Sequence, residues 1–286
     1  MILSAESVPR FDAEDDWQIA QTVPRSAAVL LKKILPALAC LLAGCGSQDD
    51  PTLEQIVEQT YKVEPTVNIS VGNGDGSISI YGADTDEVSV EATKRAYSQS
   101  RLNGIAVNVS TQPGFIAIET NFPPKPTWGL FDRSGIVDYV LIVPRTAKIS
   151  RLDLANGEIL VEEMRGAPVQ ARLGSGRFSA HNCFCNLHVA VVRGLLSVIY
   201  DWWEETKFSV DANIADGNAS VSLPDDASFH LIAEAPGGKI ANDFAEQEER
   251  NGSEVTKIDK MIGAAPSADI KIHATDGNIQ ILERNP

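Results

Sequence analysis

The chain has 286 residues, a formal net charge of −15, 43% hydrophobic residues and 6% aromatic ones. That length allows one large domain or two small ones. The charge argues against binding to nucleic-acid phosphates or anionic headgroups and leaves divalent cations as ionic partners. Four cysteines exclude a disulfide-dense scaffold, and the prominence of Val, Ile, Ser, Thr, Asn, Asp and Gly favours strands joined by tight turns.

Residues 1–28 are acidic (Glu6, Asp12, Glu14, Asp15, Asp16), whereas an export signal starts basic. They are expected to be a gene-model extension, with translation beginning near Val29. Lys32 and Lys33 then precede the apolar run Ile34 to Ala43, which is too short to span a bilayer and has the form of a secretory signal. Leu42, Ala43, Gly44 and Cys45, followed by polar Gly46 to Asp50, resemble the bacterial lipoprotein box. Residues 29–44 therefore read as a lipoprotein signal peptide, with Cys45 as the lipidated new N-terminus. Each buried acyl methylene contributes roughly 0.8 kcal/mol, so two or more chains anchor firmly. Residues 45–62 are expected to be anchor and linker, with a helical turn or two between Pro51 and Tyr61. Residues 63–286 are the expected folded domain.

Within that domain one pattern recurs. Positions five and three before a glycine, and two and four after it, are apolar. Around Gly157 they hold Leu152, Leu154, Ile159 and Val161; around Gly176, Ala171, Leu173, Phe178 and Ala180. Gly194, Gly217 and Gly277 repeat it, and Gly76 and Gly238 do so with one polar exception each, Asn73 and Asn242. Of the 28 slots 26 are apolar, where the composition predicts about 12. Alternate strand residues share a face, so each unit buries one row and wets the other. Glycine supplies a positive φ, and Asn156-Gly157, Asp216-Gly217 and Asp276-Gly277 are favoured turn pairs. The fold class is all-β. Two architectures satisfy the pattern: a β-solenoid with one unit per coil, or an antiparallel hairpin sandwich in which Leu154 faces Ile159. Residues 121–135, Tyr200 to Lys207 and Glu246 to Ile262 break the rhythm as excursions.

The order of Val71-Gly72-Asn73-Gly74-Asp75-Gly76-Ser77-Ile78, Glu87-Val88-Ser89-Val90, Val137-Asp138-Tyr139-Val140, Ser222-Leu223-Pro224-Asp225 and Ala274-Thr275-Asp276-Gly277 resembles the bacterial putative-adhesin family of extracellular domains of unknown function. The resemblance spans roughly residue 63 to the C-terminus. It implies a right-handed β-solenoid built of Gly-turn repeats and no established activity. The insert around Trp202-Trp203 departs from the family pattern.

Candidate chemistry is sparse. His181, Cys183 and Cys185 would share a face of a straight strand, with His188 facing away, but Cys-x-Cys is a poor zinc spacing and core packing explains the thiols better. Asn73-Gly74-Asp75-Gly76 lacks the remaining ligands of a calcium loop. Gly174-Ser175-Gly176 is too short for a nucleophile elbow. Asp153, Glu158, Glu162 and Glu163 are candidates for acid/base work on an outer face, against the ordinary reading as wetted strand carboxylates. Trp128, Phe131, Trp202 and Trp203, on loops, are the candidate partner contacts, against folding back as caps.

The function expected is a lipid-anchored cell-envelope protein presenting a rigid β-repeat scaffold for adhesion or binding. The alternatives are a carbohydrate-active enzyme on a β-helix and an envelope-stress accessory. No cofactor, catalytic residue or nucleic-acid partner is expected. The partners are the membrane, through the lipid, and an envelope protein or glycan. Gly46 after the acylated cysteine points to the outer membrane where the cell has one, and otherwise to the extracytoplasmic face of the plasma membrane.

Overall fold

The structure, a computed structural model, describes residues 52–124, 135–245, 255–264 and 266–284. All lie in the compact unit Asp50–Pro286. The unit is all-β, a single open fifteen-stranded sheet.

Its centre is four long parallel strands in sequence order: β7 (Lys148–Glu162), β8 (Arg165–His181), β9 (Phe184–Ile199) and β10 (Phe208–Pro224). On one flank β2 (Asn68–Ala83) pairs parallel with β7. β5 (Phe115–Asn121) and β6 (Ile136–Pro144) pair parallel with the two halves of β2. That end is finished antiparallel: β4 (Ala106–Gln112) on β5, β3 (Glu87–Ala96) on β6, and β1 (Leu53–Lys62) on β3. On the other flank β14 (Ala268–Asp276) and β15 (Ile279–Arg284) pair parallel with β10. Outside them lie β11 (Phe229–Glu234) and β12 (Ile240–Asn242), then β13 (Lys257–Ile262) antiparallel to β11. A short helix, α1 (Gln99–Gly104), is capped by Ser98, whose side chain accepts from the Arg101 amide.

The repeat glycines fall in register, Gly76 on Gly157, Gly157 on Gly176, Gly176 on Gly194 and Gly194 on Gly217. Each lies inside one continuous strand, with φ between 126° and 138°. The strands do not double back at these glycines. Leu152 pairs with Ala171 and Ile159 with Phe178, so the expected hairpin contact of Leu154 with Ile159 is not made. The reason lies in the backbone: a two-residue type I′ turn needs positive φ at both central residues. Among the described residues only Glu163 and Asn182 have it without being glycine. At φ 126° to 138° the repeat glycines lie well beyond the values near 60° of a tight-turn residue, and each strand bends there without reversing.

Every apolar slot of the repeat is buried. Removing such a Val, Leu or Ile side chain from water contributes about 1.5–3 kcal/mol, so the rows form one continuous core. Asn73, the polar exception beside Gly76, is also buried, with its Nδ2 donating to the Val137 carbonyl at 2.7 Å. Asn242, at the end of the stack, is only half-buried.

Two further expectations need correction. Leu53 to Lys62 is strand β1 and not a linker with helical turns. Its apolar residues Leu53, Ile56, Val57 and Tyr61 fall at helical spacing because this edge strand is largely exposed and buries no alternating row. The polar stretch ending at Ile262 contributes strand β13.

Gly176→Ala should lower unfolding free energy by more than about 3 kcal/mol, combining positive-φ strain with a methyl driven into the Gly157 carbonyl. Gly114→Ala, at φ 71° with open space around it, should cost only about 1–2 kcal/mol. Denaturant titration of both variants measures the contrast.

Candidate functional site

The residues singled out by sequence converge at the corner joining β8 to β9 and at the insert that follows β9. Asn182, at φ 51°, turns the backbone between His181 and Cys183. The turn breaks strand alternation, so the three candidate ligands do not share a face, contrary to the straight-strand expectation. His181 is half-exposed, whereas Cys183 and Cys185 are each 1% exposed. Both thiols are free, and burial pushes the Cys183 thiol up to about 12 and raises that of Cys185. They are small apolar core residues here, with Gly166 and Cys185 in register as the glycine alignment implies. No group of three or more potential ligand side chains among the described residues is placed to hold a metal ion.

His181 instead joins a surface ion network. Its Nε2 lies 2.5 Å from Asp201 Oδ2 and its Nδ1 3.6 Å from Glu162 Oε1, while Arg284 reaches Asp201 Oδ1 at 2.9 Å. Burial alone would raise the Asp201 carboxyl, but His181, Asn182 and Arg284 together hold it below the usual range. His188 stands apart, 4.0 Å from Asp211.

The insert closes over an aromatic cluster. Phe184 and Tyr200 lie 5.0 Å apart between ring centres, Trp203 and Phe208 5.6 Å, and Trp203 and Phe229 6.0 Å. Trp203 therefore packs as a cap on the core. Trp202 remains 43% exposed, with its indole N–H donating to Glu204 at 3.1 Å. Arg165 ties insert to corner. Its guanidinium sits 4.6 Å over the Phe184 ring and reaches Glu163 at 3.2 Å and Glu204 at 3.0 Å. Such an aromatic–guanidinium stack holds Trp202 at the surface on a fixed support. Trp128, Phe131, Cys45, Leu42, Ala43 and Gly44 lie outside the described residues.

The candidate carboxylates do not converge. Asp153 lies before the Gly157 bend and pairs with Arg151 at 2.6 Å; Glu158 and Glu162 follow the bend and face Arg177 and His181 at 3.9 and 3.6 Å. Glu163 is taken up by Arg165. Asn73 and Asp75 also part company: Asn73 is turned into the core, and Asp75 accepts from Asn156 at 2.8 Å. Sequence reasoning passed over the hydroxyl row Ser179, Ser197 and Ser220, brought side by side by the register. The signal was available, since each lies three residues after a repeat glycine, in the alternate slots to those counted for the core.

No protein-family model matches the chain, and no curated protein matches it. Among solved structures, a "putative cell adhesion protein" from Clostridium sporogenes ATCC 15579 is 17% identical, covering 80% of this chain and 100% of its own, with a TM-score of 0.47. A "putative adhesin" from Bacteroides fragilis NCTC 9343 is 10% identical over 80% of this chain and 97% of its own, TM-score 0.34. One from Parabacteroides distasonis ATCC 8503 is 11% identical over 79% and 97%, TM-score 0.24.

In the folded protein the Cys183 and Cys185 thiols should resist alkylation by iodoacetamide at pH 8 and react only on unfolding, as peptide mass mapping would read. On the outer surface, His230 sits between Asp259 at 2.8 Å and Asp269 at 3.3 Å, and the Asp259 hydrogen bond raises its pKa above the usual value. With a raised folded pKa, its stabilisation is full below the unfolded value near 6.5 and vanishes as pH rises through the folded one. Thermal melts should show His230→Gln less stable than the native chain near pH 5 and closer to it near pH 9.

Proposed function

We propose that the chain is an exported lipoprotein, acylated at Cys45, whose domain is a right-handed β-solenoid for adhesion or binding at the cell envelope, as in the putative-adhesin family it resembles. The observation that carries the reading is the parallel, in-register stack from β2 to β15. Such a stack is stiff along its length and repeats its outward side chains at the strand spacing of about 4.8 Å. It is a scaffold for contact over an area, and the lipid supplies the tether. Export also suits the composition, because acidic side chains such as Glu158 and Asp216 wet the outer rows while the core rows stay apolar. Trp202 is the contact residue best supported by its surroundings, exposed and braced by Glu204 and Phe184.

Expressed in a bacterium with lipoprotein processing, the chain should incorporate an alkyne-tagged palmitate and sediment with membranes. Cys45→Ser should abolish the label and release the protein to the soluble fraction. A label retained by Cys45→Ser, or absent from the native chain, contradicts the anchor. In cells, Trp202→Ala should lower crosslinking to envelope neighbours several-fold with no change in melting temperature; unchanged crosslinking removes Trp202 from the contact surface.

A further inference from the structure

Side chains that follow the repeat glycines make one outer face of the sheet, in rows one, three and five residues past each glycine. The middle row holds Ser179, Ser197, Ser220 and Gln280 on the adjacent strands β8, β9, β10 and β15. Three of these four side chains are short hydroxyls. The row is therefore the floor of a trough of about 510 Å³, with Leu195 and Asn218 along one side and Ile199 along the other. The trough crosses the strands, and parallel register makes its hydrogen-bonding groups recur at about 4.8 Å. Neighbouring strands share bonds along it: Ser220 Oγ lies 3.1 Å from Ser197 Oγ, and Asn278 Nδ2 lies 3.3 Å from Asn218 Oδ1.

The geometry points to this trough as a binding site for a neutral, linear polysaccharide lying across the strands. This rests on the binding reading above and names its ligand class. Hydroxyls and side-chain amides both donate and accept, as do the hydroxyls of a sugar. A floor that repeats once per strand suits a polymer that repeats once per ring. Leu195, 44% exposed, and Ile199 offer apolar walls to the C–H faces of the rings. Among the described residues Arg177 is the one charged side chain lining the trough, with Glu158 3.9 Å from it to offset its charge, so the site offers no cluster of cations for an acidic polymer. An extended peptide gains most by adding to an unpaired strand edge, and the central strands under this floor are paired on both sides.

Affinity electrophoresis of the purified full chain through gels holding dextran, amylose or β-1,3-glucan tests the assignment, with alginate and polygalacturonate as anionic comparators. At least one neutral polymer should retard the protein more than either anionic one. Ser197→Glu with Ser220→Glu should weaken that retardation more than tenfold. Ser197→Ala with Ser220→Ala, which leaves the fold undisturbed, should weaken it several-fold. Gln170→Glu, which precedes the Gly176 bend and does not line the trough, should leave it unchanged. Retardation by no neutral polymer, equal retardation by the anionic ones, or native-like binding by the alanine pair overturns the assignment. A chain that still crosslinks envelope neighbours in cells but is retarded by none of the polymers overturns the glycan assignment alone, leaving the binding reading in place.

Discussion

The structure depends on a column of glycines seated one over another. A methyl group on Gly157 would fall inside the carbonyl oxygen of Gly76, one on Gly176 inside that of Gly157, and so on through Gly194, Gly217 and Gly277 to Gly238. A left-handed φ near 57° would tolerate an occasional Asn or Asp, but φ of 126° to 156° and the close approach of backbone to backbone do not. Each strand can thus bend at the same height as its neighbour only if a glycine stands there, and a shift of register by one residue would put a side chain in that space. The glycines fix register as strongly as the apolar rows do.

The column also reveals an order that differs from the sequence. Running outward from Gly217 it continues to Gly277 and only then to Gly238. The C-terminal strands β14 and β15 are therefore inserted between β10 and the earlier strands β11 and β12. The opposite end mirrors this, since β2 lies inside the later strands β5 and β6. At each end of the sheet a strand is enclosed by strands nearer the middle of the sequence, β2 by β5 and β6, and β14 and β15 by β11 and β12. The open edges beyond them are occupied by antiparallel strands β1 and β4 on one side and, on the other, by antiparallel β13 and the short parallel strand β12. The exposed edges carry charged side chains such as Glu54, Glu58 and Lys257, which discourage further pairing.

Much of this is written in local pattern. The alternation around Gly157, Gly176 and Gly194 places Leu152, Phe178 and Val191 in the core because strand periodicity is a local property, and the matching of Gly166 with Cys185 follows from aligning the glycines. What escaped is set by partners distant in sequence. β1 has no buried row to announce it, and its identity comes from β3. Insertion of β14 and β15 depends on which strand finds β10 first, about which residues 268–284 are silent. The corner at Asn182 turned His181 away from the two cysteines through a single positive φ that a non-glycine residue does not advertise. The serine row was visible but unread, because the slots between core positions look like ordinary wetted strand until register sets them side by side.

Oxidative crosslinking of paired cysteines tests the column most directly. In register, position 218 lies beside 278, and 278 beside 239, whereas 218 and 239 are separated by a whole strand. A disulfide needs Cα atoms within about 7 Å, and strands are spaced about 4.8 Å. Asn218→Cys with Asn278→Cys should close rapidly on oxidation, and so should Asn278→Cys with Lys239→Cys, whereas Asn218→Cys with Lys239→Cys should stay open. Ready closure of the 218–239 pair with none between 218 and 278 would mean that the units stack in sequence order, and the glycine column described here would be wrong.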